Sequence, residues 1–150
     1  MTTALEGPLR ISRVLITIAT LVYGVIPLLV DLSETHAFHP DWPAHARFHM
    51  VWLLGTNSTL AALALYLMWV SKLEGAVRTR IAGLIGLCVY GGFIVSTVTR
   101  NAYGGALVDP VGGVPPVMGI DANLLAFLPM LGLVLLGLWF AYRPTETAQP

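Results

Sequence analysis

The sequence predicts an all-α integral membrane bundle of four transmembrane helices. Three observations carry that prediction. The 150-residue chain is 56% hydrophobic and 11% charged, with a mean hydropathy of +0.76, whereas a soluble domain of this size needs far more polar surface. Several apolar runs reach membrane-spanning length. The few polar residues inside those runs gather toward one end instead of spreading along them. The formal net charge is zero, which gives no sign of a nucleic-acid partner. The single cysteine, Cys88, lies in an apolar run, so an internal disulfide and a paired-cysteine redox centre are both excluded.

The first helix is expected at about 11–30. A short polar leader with Arg10 precedes it, and no small-x-small cleavage site follows it, so it reads as a retained helix and not a signal peptide. Pro27 should bend it and leave one backbone carbonyl free. The second helix is expected at about 43–70, with Pro43 suited to the first turn and Trp69 at headgroup level. The third, at about 80–99, carries Gly83, Gly86, Gly91 and Gly92, which let a neighbour approach closely. A long loop, NAYGGALVDPVGGVPPVMG, shows neither helical nor alternating period. The fourth helix, at about 121–142, opens on Asp121 as an N-cap, is kinked by Pro129 and ends in Trp139, Phe140 and Tyr142. There is no internal repeat, and residues 1–150 read as one domain.

Basic residues set the expected orientation. One side has Arg10, Arg13, Lys72, Arg78, Arg80 and Arg143, and the other has only Arg47 and Arg100. The positive-inside rule then places both termini in the cytoplasm. The expected location is an inner or plasma membrane of the bacterial type, with the histidine-bearing first loop on the non-cytoplasmic side.

Polar side chains in hydrocarbon need a partner or water. The outer half holds Tyr23, Thr56, Asn57, Ser58, Thr59, Ser96, Thr97, Thr99 and Asn123; the inner half has little beyond Thr17, Thr20 and Tyr66. Asn57 lies twelve residues after His45, roughly 18 Å at helical rise and so near the midplane. The pattern implies a polar cavity that opens outward and stops there. A channel or transporter needs a polar route across the whole bilayer, and none is visible. The alternative is that these residues bond helix to helix.

All four histidines fall between Glu34 and Thr59. His45 and His49 are four residues apart, and on a helix they share a face with Cβ atoms roughly 6 Å apart, the spacing by which helical pairs chelate metal. Trp52, Thr56 and Thr59 continue that face. His36 and His39 precede it in a loop and could fold back as further ligands, with Glu34 and Asp41 nearby. Neutral imidazole suits zinc, copper or iron. Interfacial placement or metal-free acid–base work are the other readings. The metal candidates are therefore His45, His49, His36 and His39, and the catalytic candidates are His45, His49, Arg47 and Glu34. The ligand-binding candidates are Trp52, Thr56, Asn57, Tyr23, Arg100 and Asp31. Asp31 ends the first helix, where the dipole disfavours an anion, so Arg47 or Arg100 is expected beside it.

The segment His39-Pro40-Asp41-Trp42-Pro43-Ala44-His45-Ala46-Arg47-Phe48-His49 resembles a family of small four-helix membrane proteins that carry HPxWPxHARFH or a close variant after the first helix. The resemblance spans about the full length and implies a fold without implying an activity. A weaker likeness to the sterol-isomerase group of small helical membrane enzymes has no matching motif, and no residue role is transferred from it. Two functions compete. One is an enzyme acting on an apolar or lipid-like small molecule in a histidine-lined cavity, with Arg47 orienting an anionic group and Asn57 at the floor. The other is a non-enzymatic subunit or assembly factor whose glycine-rich faces pack on partner helices, a second copy in a homo-oligomer included. A haem carrier ranks below both, because one helix would have to supply every axial histidine. The enzyme requires open space in the outer half, whereas a packing subunit fills it with side chains.

Overall fold

The computed structural model describes residues 3–108 and 115–143. It is all-helical: α1 Thr3–Asp31, α2 Ala44–Trp69, α3 Gly75–Thr99 and α4 Ala122–Tyr142, with a 3₁₀ turn at Arg100–Ala102. All four helices are long and apolar enough to cross a membrane. They run up, down, up and down, so one end of the bundle holds the first loop and the other holds the α2–α3 connection. These are called the histidine end and the terminus end. Each helix packs on its two neighbours, and α1 also touches α3 across the bundle, while α2 and α4 do not meet.

Two helices start earlier than the apolar runs suggest. α1 begins at Thr3 instead of near residue 11, and α3 begins at Gly75 instead of Arg80. In α3 the extra turn is possible because its polar side chains find carbonyls. Thr79 Oγ1 donates to Gly75 O at 2.6 Å, and Arg78 donates to Ser71 O. Arg80 Nε reaches Ala141 O at 2.9 Å, and its guanidinium lies 4.5 Å from the centre of the Tyr142 ring. A cation is unfavourable at the start of its own helix but favourable at the end of the next one, and its long stem lets it reach there. At the far end of the chain, Asp121 Oδ1 accepts from Asn123 N at 2.8 Å and Leu124 N at 3.3 Å, capping α4.

Within the helices, buried residues lie mainly toward the terminus end, with Leu54 of α2 reaching furthest toward the histidine end. On α1 the buried residues run from Ser12 to Gly24, on α2 from Leu54 to Met68, on α3 from Thr79 to Tyr90 and on α4 from Val134 to Ala141. Small residues bring the backbones together. A Cβ on Gly137 would stand 2.7 Å from Ile16 Cγ1, and one on Gly83 would meet Leu138 Cγ at 2.9 Å. Gly24 lies against Ala61 in the same way. Hydroxyls then bond across the narrow gaps. Ser12 Oγ donates to Gly137 O at 2.6 Å, Tyr90 Oη to Ala19 O at 2.7 Å and Ser58 Oγ to Gly24 O at 2.8 Å. An aromatic group closes this half from above. Tyr23 meets Tyr90 edge-on at 5.8 Å, Tyr90 meets Phe127 at 5.6 Å, and Phe127 stacks on Phe93 at 4.6 Å.

Candidate functional site

Above the aromatic group the four helices separate around a cavity of about 730 Å³. Its walls come in helical pairs: Ile26, Pro27, Val30 and Asp31 from α1, and Ala122, Asn123, Ala126 and Phe127 from α4. Residues i, i+1, i+4 and i+5 share one stripe of a helix, so each helix offers one continuous strip to the space. The strip on α3 includes Cys88, Gly92 and Ser96, spaced four apart. Gly92 supplies room, since a Cβ there would have no atom within 4 Å. Leu53, Leu54, Asn57 and Leu60 complete the wall from α2. The lining is thus largely apolar, with four polar groups, Asp31, Asn57, Ser96 and Asn123, one from each helix. Asn123 Nδ2 is held by Leu107 O at 3.1 Å.

Asp31 does not pair with an arginine. Its partner is the His36 imidazole, whose Nε2 stands 3.9 Å from Asp31 Oδ1, an ion pair only when that ring is protonated. Both candidate arginines are satisfied by nearby backbone. Arg47 Nε donates to Trp42 O at 3.1 Å and its Nη2 to Pro40 O at 2.9 Å, while Arg100 Nη1 donates to Thr97 O at 2.6 Å. A guanidinium fork that finds two carbonyls a few residues away has no reason to reach across the bundle. Arg47 therefore clamps the first loop and is not positioned as an anion-binding group in the cavity.

The four histidines divide into two pairs with different surroundings. His36 and His39 belong to the loop. His36 Nδ1 lies 2.9 Å from Thr35 Oγ1, and buried His39 accepts from Asp41 N through Nδ1 at 3.2 Å. Both rings flank Trp42, at 6.0 and 6.1 Å. With the Arg47 bonds, the HPDWP segment becomes a self-contained turn whose imidazoles already have partners. His45 and His49 lie on the exposed face of α2, Nε2 to Nε2 at 3.0 Å, in a row with Phe48 and Trp52.

The cavity expected to be histidine-lined has no histidine in its wall. Nor do the four histidines assemble for zinc, iron or copper: among the described residues, no three His, Cys, Asp or Glu side chains converge on one point. Glu34 is exposed in the first loop, outside the cavity. The reason is helix phase. Successive residues stand about 100° apart around an α-helix, so Asn57 leaves the face that Thr56 continues. Trp52 and Thr56, with Gly55, Thr59 and Leu60, line a shallow depression on the outside of α2. Tyr23 lies in the core beneath the cavity, 1% exposed. Of the ligand-binding candidates, Asp31 and Asn57 line the space and the other four do not. Ser96, Asn123 and Phe127 line it without having been singled out by sequence as site residues. Their signal was the repeated i, i+1, i+4 spacing that places them on the strips described above.

The fold and site define the class: an all-α protein of four helices, each long and apolar enough to cross a membrane, with an apolar-walled cavity at one end. The chain belongs to a family of unknown function (DUF6640), whose model matches residues 15–147. Comparison with curated proteins and with solved structures returned no match.

Proposed function

We propose that the protein is a multi-pass membrane protein that binds an amphipathic, lipid-like molecule between its four helices. The observation that carries this reading is the cavity of about 730 Å³, with apolar walls and one polar group from each helix. That size falls within the roughly 300–1,000 Å³ of small-molecule sites. A hydrocarbon portion would lie against Ile26, Val30, Phe93 and Phe127. A headgroup that donates hydrogen bonds would meet Asp31 at the rim, while the amides of Asn57 and Asn123 can both donate and accept. The basic residues favour termini in the cytoplasm and a mouth on the opposite side, reached from the outer leaflet. His45, His49 and Glu34 take no part in this binding, and no acid–base step is assigned to them.

A cavity-filling variant tests the reading. Gly92→Leu projects into open space, so the fold should persist while the cavity shrinks. Titration of a single-chain lysolipid into detergent-purified protein, followed by native mass spectrometry, should show one-to-one binding by the wild type. Gly92→Leu should bind at least tenfold more weakly, and Trp52→Ala should bind as the wild type does. Equal binding by Gly92→Leu, or no saturable binding at all, would sink the proposal.

A further inference from the structure

His45 and His49 supply a feature that the cavity does not use. We propose that they form half of a zinc site that a second copy of this chain completes with the same two residues. Two nitrogens bound to one metal at about 2.0–2.1 Å stand about 2.9–3.4 Å apart for bond angles between a right angle and tetrahedral. The two Nε2 atoms are already 3.0 Å apart, their rings crossing at 82° with centroids 4.4 Å apart. Each neutral imidazole has one lone pair to offer. The pair therefore has the spacing of a bidentate chelate, on side chains that are both exposed.

Within one chain the ligand set stops at two: no group of three or more His, Cys, Asp or Glu side chains is found among the described residues. A closed zinc site takes four ligands. A two-fold axis beside the pair brings up an identical pair, and a contact of that kind uses the same patch twice. Four imidazoles then surround one ion.

The rest of α2 favours that partner. Of the four candidate spans, α2 has the lowest mean hydropathy, 1.4 against 2.0–2.4, and the smallest buried share, 17% against 22–33%. The least apolar helix is thus the one its own bundle covers least. Below the histidines, exposed Thr56 and Thr59 continue the same face; Thr59 already donates to Gly55 O at 2.8 Å, so the cost of facing hydrocarbon falls on Thr56. Gly55, next to Thr56 and one turn above Thr59, has no atom within 4 Å of an added Cβ, which allows close backbone approach. Two copies inserted the same way hold their histidines at one depth, as a two-fold axis along the membrane normal requires. The inference rests on the membrane placement proposed above but not on occupancy of the cavity, so the lysolipid and zinc results stand apart.

The test is zinc titration of the full chain in detergent, with metal content and oligomer mass read together. The expected result is one zinc per two chains and a shift from monomer to dimer that a chelator reverses. His45→Ala and His49→Ala should each lose both, with helix content unchanged because the side chains are exposed. His36→Ala and His39→Ala should keep both. Replacement of zinc by cobalt should give the intense visible absorption of a tetrahedral site. One zinc per chain on a monomer, zinc uptake that persists in the His45→Ala/His49→Ala double variant, or a dimer indifferent to chelator and to both substitutions would each overturn the proposal. So would the absence of zinc binding.

Discussion

The two halves of this bundle are built by opposite rules. In the terminus half, glycines face bulky side chains: Gly83 meets Leu138 and Gly137 meets Ile16, and buried hydroxyls bond to carbonyls of other helices. Toward the histidine end, Gly91 and Gly92, and Gly132 at the middle of α4, face no atom within 4 Å, and Leu54 is the one buried helical residue there. The same residue type thus closes one half and opens the other. The difference teaches that glycine in an apolar helix specifies closeness only where a neighbour supplies the knob for its hole. Without the knob it leaves a space that something else can occupy.

The largest expected effect breaks this contrast directly. Gly137→Ala should destabilise by about 1–3 kcal/mol, the usual cost of overpacking, because the new methyl also stands 3.3 Å from the Ser12 backbone carbonyl. Gly132→Ala should be neutral or stabilising by about 0.5–1 kcal/mol, from helix propensity alone. Reversible unfolding in mixed detergent micelles, followed by circular dichroism, measures both. Equal costs would erase the distinction between the halves.

A smaller effect sharpens it. If the histidine end is ordered by its loop and not by a helical core, Arg47→Lys should loosen that loop without lowering global stability. One ammonium cannot reproduce a fork on Pro40 O and Trp42 O. Hydrogen exchange at the Trp42 amide, which donates to His39 O at 3.2 Å, should quicken by the equivalent of about 1–2 kcal/mol. Unchanged protection would mean that the turn stands without its clamp.

The smallest effect concerns Asp31. Its separation from His36 is 3.9 Å, and both side chains are partly exposed, at 24% and 29%. Asp31→Asn should therefore cost less than about 1 kcal/mol. Any coupling in a double-mutant cycle should appear with His36→Ala and not with Arg47→Ala. Strong coupling to Arg47 would restore the ion pair expected from the helix dipole.

Four helices could be read directly from the sequence because an uninterrupted apolar run of that length suits a membrane span and little else. Asp31 and Asn57 could be singled out because a polar group in such a run needs a reason. What could not be read was phase. Thr56, Asn57, Ser58 and Thr59 are consecutive and so circle the helix, and each direction gives a different answer. Asn57 lines the cavity, Ser58 bonds to Gly24 O, and Thr59 bonds back to Gly55 O at 2.8 Å. Ligand site and helix-to-helix bonding look like alternatives in the sequence, yet adjacent residues serve each. The i, i+4 relation of His45 and His49 was legible for the same reason that helices are. The self-satisfaction of His39 was not, since it depends on the folded shape of a turn that has no period in the sequence.

Pro27 and Pro129 stand just above the last buried residue of α1 and the first buried residue of α4. Each lacks an N–H, so the ladder loses one bond there, at the level where packing ends. Mechanically, these two helices are rods gripped at the base and notched just above the grip. A load applied at the cavity mouth concentrates at the notch, and the packing that resists it above the α4 notch is the contact of Phe127 with Tyr90 and Phe93. α2 and α3 have no proline inside the helix and stand as stiff walls. The width of the mouth is thus a property of two springs, and the grip that anchors them is the glycine-packed base.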